Sequence, residues 1–141
     1  SWGGPPAQYG FQVSDTAAAQ KELNEQIMVT VMIETPEAVA NADSIAAVPG
    51  VDCLMIGTSD LTASMGIAGQ IGHPDVRAAY AKVAAACKAH GKVMGMGGVY
   101  DEKVAPDYIA LGARFLLSGS DHSFLMAGGG ARAKFLRGLQ G

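Results

Sequence analysis

The sequence predicts an α/β fold built on a parallel sheet, and three observations lead there. Short runs recur along the chain that are apolar nearly throughout, as in strands covered on both faces. Stretches with helical periodicity lie between them, and the strand–helix repeat calls for parallel strands joined by right-handed crossovers. The composition, 49% hydrophobic and 16% charged over 141 residues, suffices for one packed core.

In chain order, the opening SWGGPPAQYG reads as an irregular Gly/Pro loop, without the basic start and apolar middle of a signal peptide. A helix is predicted over about Asp15–Glu25, with Ser14 as its cap. The first strand is Ile27–Ile33 (IMVTVMI). Thr35 then caps a helix over Pro36–Val48, ended by Pro49-Gly50. The second strand is Val51–Ile56 (VDCLMI). The clearest helix covers Pro74–His90, where Val76, Ala79, Tyr80, Val83, Ala84 and Cys87 form one apolar stripe. Pro74 suits its first position, Asp75 complements the dipole, and Gly91 fits a left-handed stop.

The third strand is Lys92–Met96 (KVMGM), followed by a short helix near Glu102–Leu111 that Pro106 must start or interrupt. The fourth strand is Ala113–Leu117 (ARFLL), and a last helix covers about Ser123–Leu139. Gly128-Gly129-Gly130 in its middle cost about 1 kcal/mol each relative to alanine. That helix is expected to break there or to depend on packing partners. Four such strands fit a small doubly wound sheet or half of an eight-stranded barrel, and the pattern alone leaves both open.

Composition excludes some functions. Ten basic against thirteen acidic residues, a net charge of −3 without a basic cluster, argue against a nucleic-acid surface. No apolar run reaches the roughly 18 residues of a membrane span. Cys53 and Cys87 occupy apolar strand and helix positions and read as buried thiols rather than a disulfide, which fits a reduced, cytoplasmic setting.

In either architecture ligands bind at the carboxyl ends of the strands. The first strand runs into Glu34, the second into Gly57-Thr58-Ser59-Asp60, the third into Gly97-Gly98 and the fourth into Ser118-Gly119-Ser120-Asp121. Alone, Glu34 also suits a first-turn helix acid, and Asp60 an N-cap for a helix starting at Leu61. Together, two carboxylates on neighbouring strand ends suit a hard cation such as Mg²⁺ or Mn²⁺, which commonly takes one or two protein carboxylates. The Gly57–Asp60 turn offers backbone N–H groups to an anion. Cation plus anion hole suits a chelating 2-oxo acid.

The segments MIETPEAVANADSIAAVPGVDCLMIGTSDLTASMGIAGQIGHPDV and GKVMGMGG resemble the HpcH/HpaI aldolase family, in its pyruvate aldolase branch. The family's metal ligands are a Glu in an "IE" motif ending strand five and an Asp in a "G-P-x-D-L" motif ending strand six. Glu34 and Asp60 match them at the same separation, 26 positions. Ser64, Gly66, Gly69, His73 and Pro74 match the "S-x-G-x-x-G…H-P" stretch that follows, and the similarity extends from about Gln8 to Leu139.

The resemblance implies a (β/α)8 TIM barrel, this chain supplying about the last four βα units as the C-terminal half of a single aldolase domain. It implies that Glu34 and Asp60 hold a divalent metal, Mg²⁺ or Mn²⁺, with Co²⁺ a further candidate. The amides of Ser59 and Asp60 would bind the pyruvyl carboxylate, and Gly57 and Gly97 would lie near the pyruvate methyl. Asp121 matches a recurrent acid with a supporting role. His73, directly before Pro74, reads as a helix flank rather than a base.

Three positions depart from the family pattern. Thr58 stands where proline is usual, Met32 where many members have glutamine, and Gly97 where some have leucine. The family's first four strands, with the enolate-stabilising arginine and a proton-transferring histidine, lie outside this sequence. A half-barrel exposes two sheet edges, so residue 1 is expected to follow a cut in an exposed loop, the N-terminal half being a partner chain. No catalytic base is assigned within the chain.

The implied reaction is reversible aldol cleavage of a 4-hydroxy-2-oxo acid to pyruvate and an aldehyde. No lysine among Lys92, Lys103 and Lys134 ends a strand, which disfavours imine chemistry. Oxaloacetate decarboxylation, macrophomate-synthase-like bond formation or acyl-CoA lyase activity would use the same site. A non-catalytic binding domain, and a phosphate site at Gly95-Met96-Gly97-Gly98, are rivals of other classes. The family assembles as trimers and hexamers. Phe124, Leu125, Phe135, Leu136 and Leu139 form a face for a neighbouring subunit or for the chain's own barrel.

Overall fold

A computed structural model describes residues 4, 7–12 and 15–139. The expected Ser14 cap and most of the opening Gly/Pro segment lie outside them. In chain order the elements are α1 (Thr16–Gln26), β1 (Thr30–Ile33), α2 (Pro36–Ala40), α3 (Ala42–Ala46), β2 (Cys53–Gly57), α4 (Thr58–Ser64), α5 (Pro74–Ala89), β3 (Val93–Gly97), α6 (Ala105–Leu111), β4 (Ala113–Leu116) and α7 (Asp121–Gly138). A 3-10 turn at Ala7–Tyr9 precedes them.

Every strand pair is parallel, and the spatial order β1-β2-β3-β4 repeats the chain order. A doubly wound sheet reverses direction at a switch point. This one does not, and the winding is that of a barrel wall. The pleat sorts the side chains accordingly. Ile33, Leu54, Ile56, Met94, Met96 and Ala113 join one buried cluster with residues of α2 to α6. The alternating residues Met32, Met55, Gly95 and Phe115 occupy the opposite face, where Met32 and Phe115 remain exposed.

Helix α5 anchors the cluster through Val76, Ala79, Tyr80 and Val83, each buried, and fully burying a valine stabilises the fold by about 1.5–3 kcal/mol. The Tyr80 ring stacks on Tyr108 of α6 with centroids 3.8 Å apart, and an Arg77–Asp107 ion pair joins the same two helices. Cys53 and Cys87 are both free and buried. No helix among the described residues is long and apolar enough to cross a membrane.

Several elements differ from expectation. The first strand begins at Thr30 rather than Ile27, because Val29 is where contact with β2 starts. There the Val29 N–H donates to the Asp52 carboxylate (2.8 Å) and the Val29 carbonyl accepts from Asp52 and Cys53. Residues 27–29 are apolar but exposed. The helix expected over Pro36–Val48 is two, divided at Asn41. Asp15 caps α1, accepting from the Ala17 and Ala18 N–H groups.

Helix α4 starts at Thr58, so Asp60 lies inside its first turn and is not its N-cap. Helix α7 runs unbroken through Gly128-Gly129-Gly130, and none of its residues is buried. Its start is held by a capping box between Ser120 and Ser123. Its apolar face, with Phe124, Leu125, Phe135, Leu136 and Leu139 all exposed, does not pack into this sheet.

Candidate functional site

Strand register brings four strand-end residues into one row. Ile33 pairs with Ile56, Gly57 with Gly97, and Met96 with Leu116. The Leu117 N–H donates to the Met96 carbonyl at 2.9 Å, carrying the β3–β4 ladder one residue further. Glu34, Gly57, Gly97 and Leu117 are therefore successive neighbours across the carboxyl edge, on the face opposite the helices.

The side chains confirm the row. A Cβ added to Gly57 would lie 2.6 Å from Oε1 and 2.8 Å from Cγ of Glu34, so the carboxylate rests directly on this glycine. A Cβ on Gly97 would lie 3.2 Å from Cδ1 of Leu117. Gly98 follows with φ +77°, a left-handed conformation open to glycine, and a Cβ there would lie 2.8 Å from Oγ and 3.2 Å from the amide nitrogen of Ser59. The β3 exit thus presses on the turn that carries Ser59 and Asp60.

That turn is fixed from below. Thr58 is fully buried, its hydroxyl 2.7 Å from the Tyr80 hydroxyl. Burial pushes the Tyr80 phenol well above its ordinary pKa, so it stays protonated. The Thr62 hydroxyl donates to the Ser59 carbonyl at 2.8 Å and accepts from the Gly69 N–H at 3.2 Å. The Tyr108 hydroxyl donates to the Ile71 carbonyl. Ser59 and Asp60 stay exposed on this support, in a first turn whose amides have no intrahelical acceptor.

Of the residues singled out from sequence, Glu34, Gly57 and Gly97 meet in the row, and Ser59 touches it through Gly98. Asp60 lies three residues beyond Gly57, exposed. Asp121 stands at the far edge, where β4 leads into α7, and its carboxylate accepts from the His122 N–H at 2.7 Å. His73 caps α5, its Nδ1 accepting from the Asp75 N–H, the flanking role expected of it. A Cβ on Gly95 would lie 2.7 Å from Cε of Met55, so this glycine serves close packing and not a phosphate cradle.

Sequence reasoning missed the Thr58–Tyr80 bond and the place of Leu117. The tyrosine is 22 positions away in sequence, and the leucine declares itself only through register.

The Arg77–Asp107 ion pair and the His73–Asp75 and His90–Asp43 contacts of the described residues involve neither Glu34 nor Asp60. No cluster of three or more His, Cys, Asp or Glu side chains forms a closed metal cage among the described residues. Glu34 on the glycine row and Asp60 in the adjoining first turn are oxygen donors of the type that a hard cation takes while it keeps water or substrate oxygens on its remaining positions.

The HpcH/HpaI aldolase/citrate lyase profile matches residues 8–127. The chain belongs to this family. A 4-hydroxy-4-methyl-2-oxoglutarate aldolase of Hapsidospora irregularis is 44% identical over 102 residues, 71% of this chain and 38% of the relative. A hydroxypyruvate/pyruvate aldolase of Pseudomonas aeruginosa is 43% identical over 103 residues, 73% of this chain and 38% of the relative. The chain thus spans well under half the length of these curated relatives.

A crystal structure of a family protein from Burkholderia cenocepacia J2315 superposes with a TM-score of 0.80 at 34% identity, over 97% of this chain and 52% of that one. The sheet is accordingly the wall of a (β/α)8 barrel, of which the chain carries four consecutive βα units. The Thr58 side chain binds the turn to α5 by its hydrogen bond with Tyr80.

Proposed function

We propose that the full-length protein is a divalent-metal-dependent pyruvate aldolase, a lyase that cleaves or forms 4-hydroxy-2-oxo acids through a pyruvate enolate. The observation that carries the reading is the Glu34 carboxylate lying on Gly57, in the strand-end row that leads directly into Asp60. Relatives named as aldolases acting on hydroxypyruvate, pyruvate or a hydroxy-oxoglutarate support the substrate class.

Glu34 and Asp60 would hold the cation, Mg²⁺, Mn²⁺ or Co²⁺. When bound, it supplies Lewis-acid polarisation of the 2-keto group. The chain's own residues do the rest of the positioning. The Ser59 and Asp60 amides receive the substrate carboxylate, and Gly57 and Gly97 provide a floor without side chains for the three-carbon unit. The base and the enolate-stabilising arginine belong to the remainder of the barrel. Lys92 precedes β3 at the opposite edge and Lys134 lies in α7, so neither stands where an imine would form. The N-terminal half of the barrel, an aldehyde, and further copies of the chain in a trimer or hexamer are the proposed partners in a cytoplasmic setting. The exposed apolar face of α7 supports assembly.

The test is pyruvate release from a 4-hydroxy-2-oxo acid by the full-length protein with Mn²⁺ or Mg²⁺, then with EDTA, and in Glu34→Ala and Asp60→Ala. Losing a Lewis acid worth several kcal/mol should cost at least about a hundredfold in rate. Undiminished turnover under chelation or in either variant sinks the metal assignment. Faster turnover of oxaloacetate than of any hydroxy-oxo acid makes the protein a decarboxylase instead.

A further inference from the structure

The row at the strand ends has two unlike walls. Glu34 closes one side of the glycine floor and Leu117 the other, with only Gly57 and Gly97 between them. Adjacent strands are about 4.8 Å apart, so the Glu34 and Leu117 backbones stand about 14 Å apart. Both side chains lean inward and shorten that span. Glu34 covers Gly57, and Leu117 reaches back until its Cδ1 is 3.2 Å from where a Gly97 Cβ would be. The space left between the two side chains is narrow, so a chain longer than a three-carbon acid is brought against the leucine.

Leu117 is not held there by a packed core. It is 46% exposed on the inner face, beyond the last residue of β4, and its backbone is tied to Met96. Besides the leucine, the atoms nearest a Gly97 Cβ are the Ile56 carbonyl oxygen at 3.6 Å and the Met55 sulfur at 3.7 Å, neither of them charged. The wall is apolar and made by one side chain.

We propose that Leu117 is the residue that sets donor specificity, admitting 2-oxo acids with little or nothing attached at C3 and excluding longer ones. The proposal rests on the enolate reading above, because that reading places the keto group at the Glu34 end, the carboxylate at the Ser59 and Asp60 amides, and C3 over the glycines. Leu117 acts by shape alone. Enlarging the space should admit one or two further methylene groups, and each is worth about tenfold or more in discrimination at an apolar wall. Gly97→Ala should do the reverse, because its Cβ pushes Leu117 further over the floor.

The experiment uses the full-length protein with Mn²⁺ and two readouts. The first is deuterium exchange at C3 of pyruvate and of 2-oxobutyrate, followed by NMR. The second is the dissociation constant of each acid by calorimetry. Leu117→Ala should raise the 2-oxobutyrate:pyruvate ratio about tenfold or more in both readouts. Gly97→Ala should lower it, and the double variant should recover most of that loss. Leu117→Met, equal in bulk, should leave the ratio near the parent's and shows that volume is what is read.

Ratios unchanged in Leu117→Ala and Gly97→Ala, in proteins with the parent's circular dichroism, overturn the assignment while exchange itself upholds the enolate reading. Binding ratios that shift as expected without exchange of either acid uphold the wall and overturn the enolate reading. Neither exchange nor binding in the parent protein overturns both.

Discussion

Thr58 shows how much a single hydroxyl can decide. It opens α4 at the candidate site, yet its side chain turns away into the core and meets the Tyr80 hydroxyl at 2.7 Å, both residues being fully buried. Leaving one such partner unsatisfied costs about 1–3 kcal/mol, whereas removing both is nearly neutral. Thr58→Val and Tyr80→Phe should each lower stability by that amount in urea melts, and Thr58→Ser should lose less. The double variant should lose clearly less than the sum, the mark of two groups that serve each other. Additive losses would show that the bond contributes nothing. The strand ends that lead into Glu34 and Gly57 were legible in the sequence because an apolar run stops just before each of them. The Thr58 contact was not, since its partner comes from the other side of the core.

At the scale of elements, helix α5 was readable almost to the residue. An apolar stripe, an N-terminal proline and a terminal glycine all agree on it, and it spans Pro74–Ala89. Helix α4 was legible only as a helix starting at Leu61, three residues late, because its seven residues are too few to show a period. The expected break in α7 failed for a different reason. Propensity is a weak term, and a capping box and flanking helix formers carry the backbone through three glycines. A Cβ at Gly128, Gly129 or Gly130 would meet nothing within 4 Å. Gly129→Ala should therefore stabilise α7 by up to about 1 kcal/mol, read as increased helical dichroism and a higher melting temperature.

Helix α5 carries a second testable consequence. Burial raises the Cys87 thiol from 9.0 to about 11. The unfolded chain then releases this proton at lower pH than the folded one does. Its contribution to stability is complete below pH 9 and is lost as the pH rises through about 11. Thermal melts of the parent should fall off more steeply across that interval than those of Cys87→Ala. Equal slopes would show that this thiol is not the group responsible.

At the scale of the whole molecule, the alternation of strand and helix could be read directly from the pattern, and its closure only from the resemblance to the aldolase family. Four βα units serve a doubly wound sheet or a barrel wall equally well, and in the structure the spatial order β1-β2-β3-β4 separates them. That order leaves an inner face on which Met32 and Phe115 are 47% and 38% exposed. The interior of a closed barrel is filled by such side chains in layers. Phe115→Lys therefore carries opposite predictions in two contexts. In residues 1–141 alone, a lysine on an open apolar face should reduce concentration-dependent association, followed by light scattering. In the full-length protein the same lysine would be enclosed without a partner, and the melting temperature should fall sharply or folding fail. A full-length Phe115→Lys protein as stable as its parent would mean that this face never becomes the inside of a barrel.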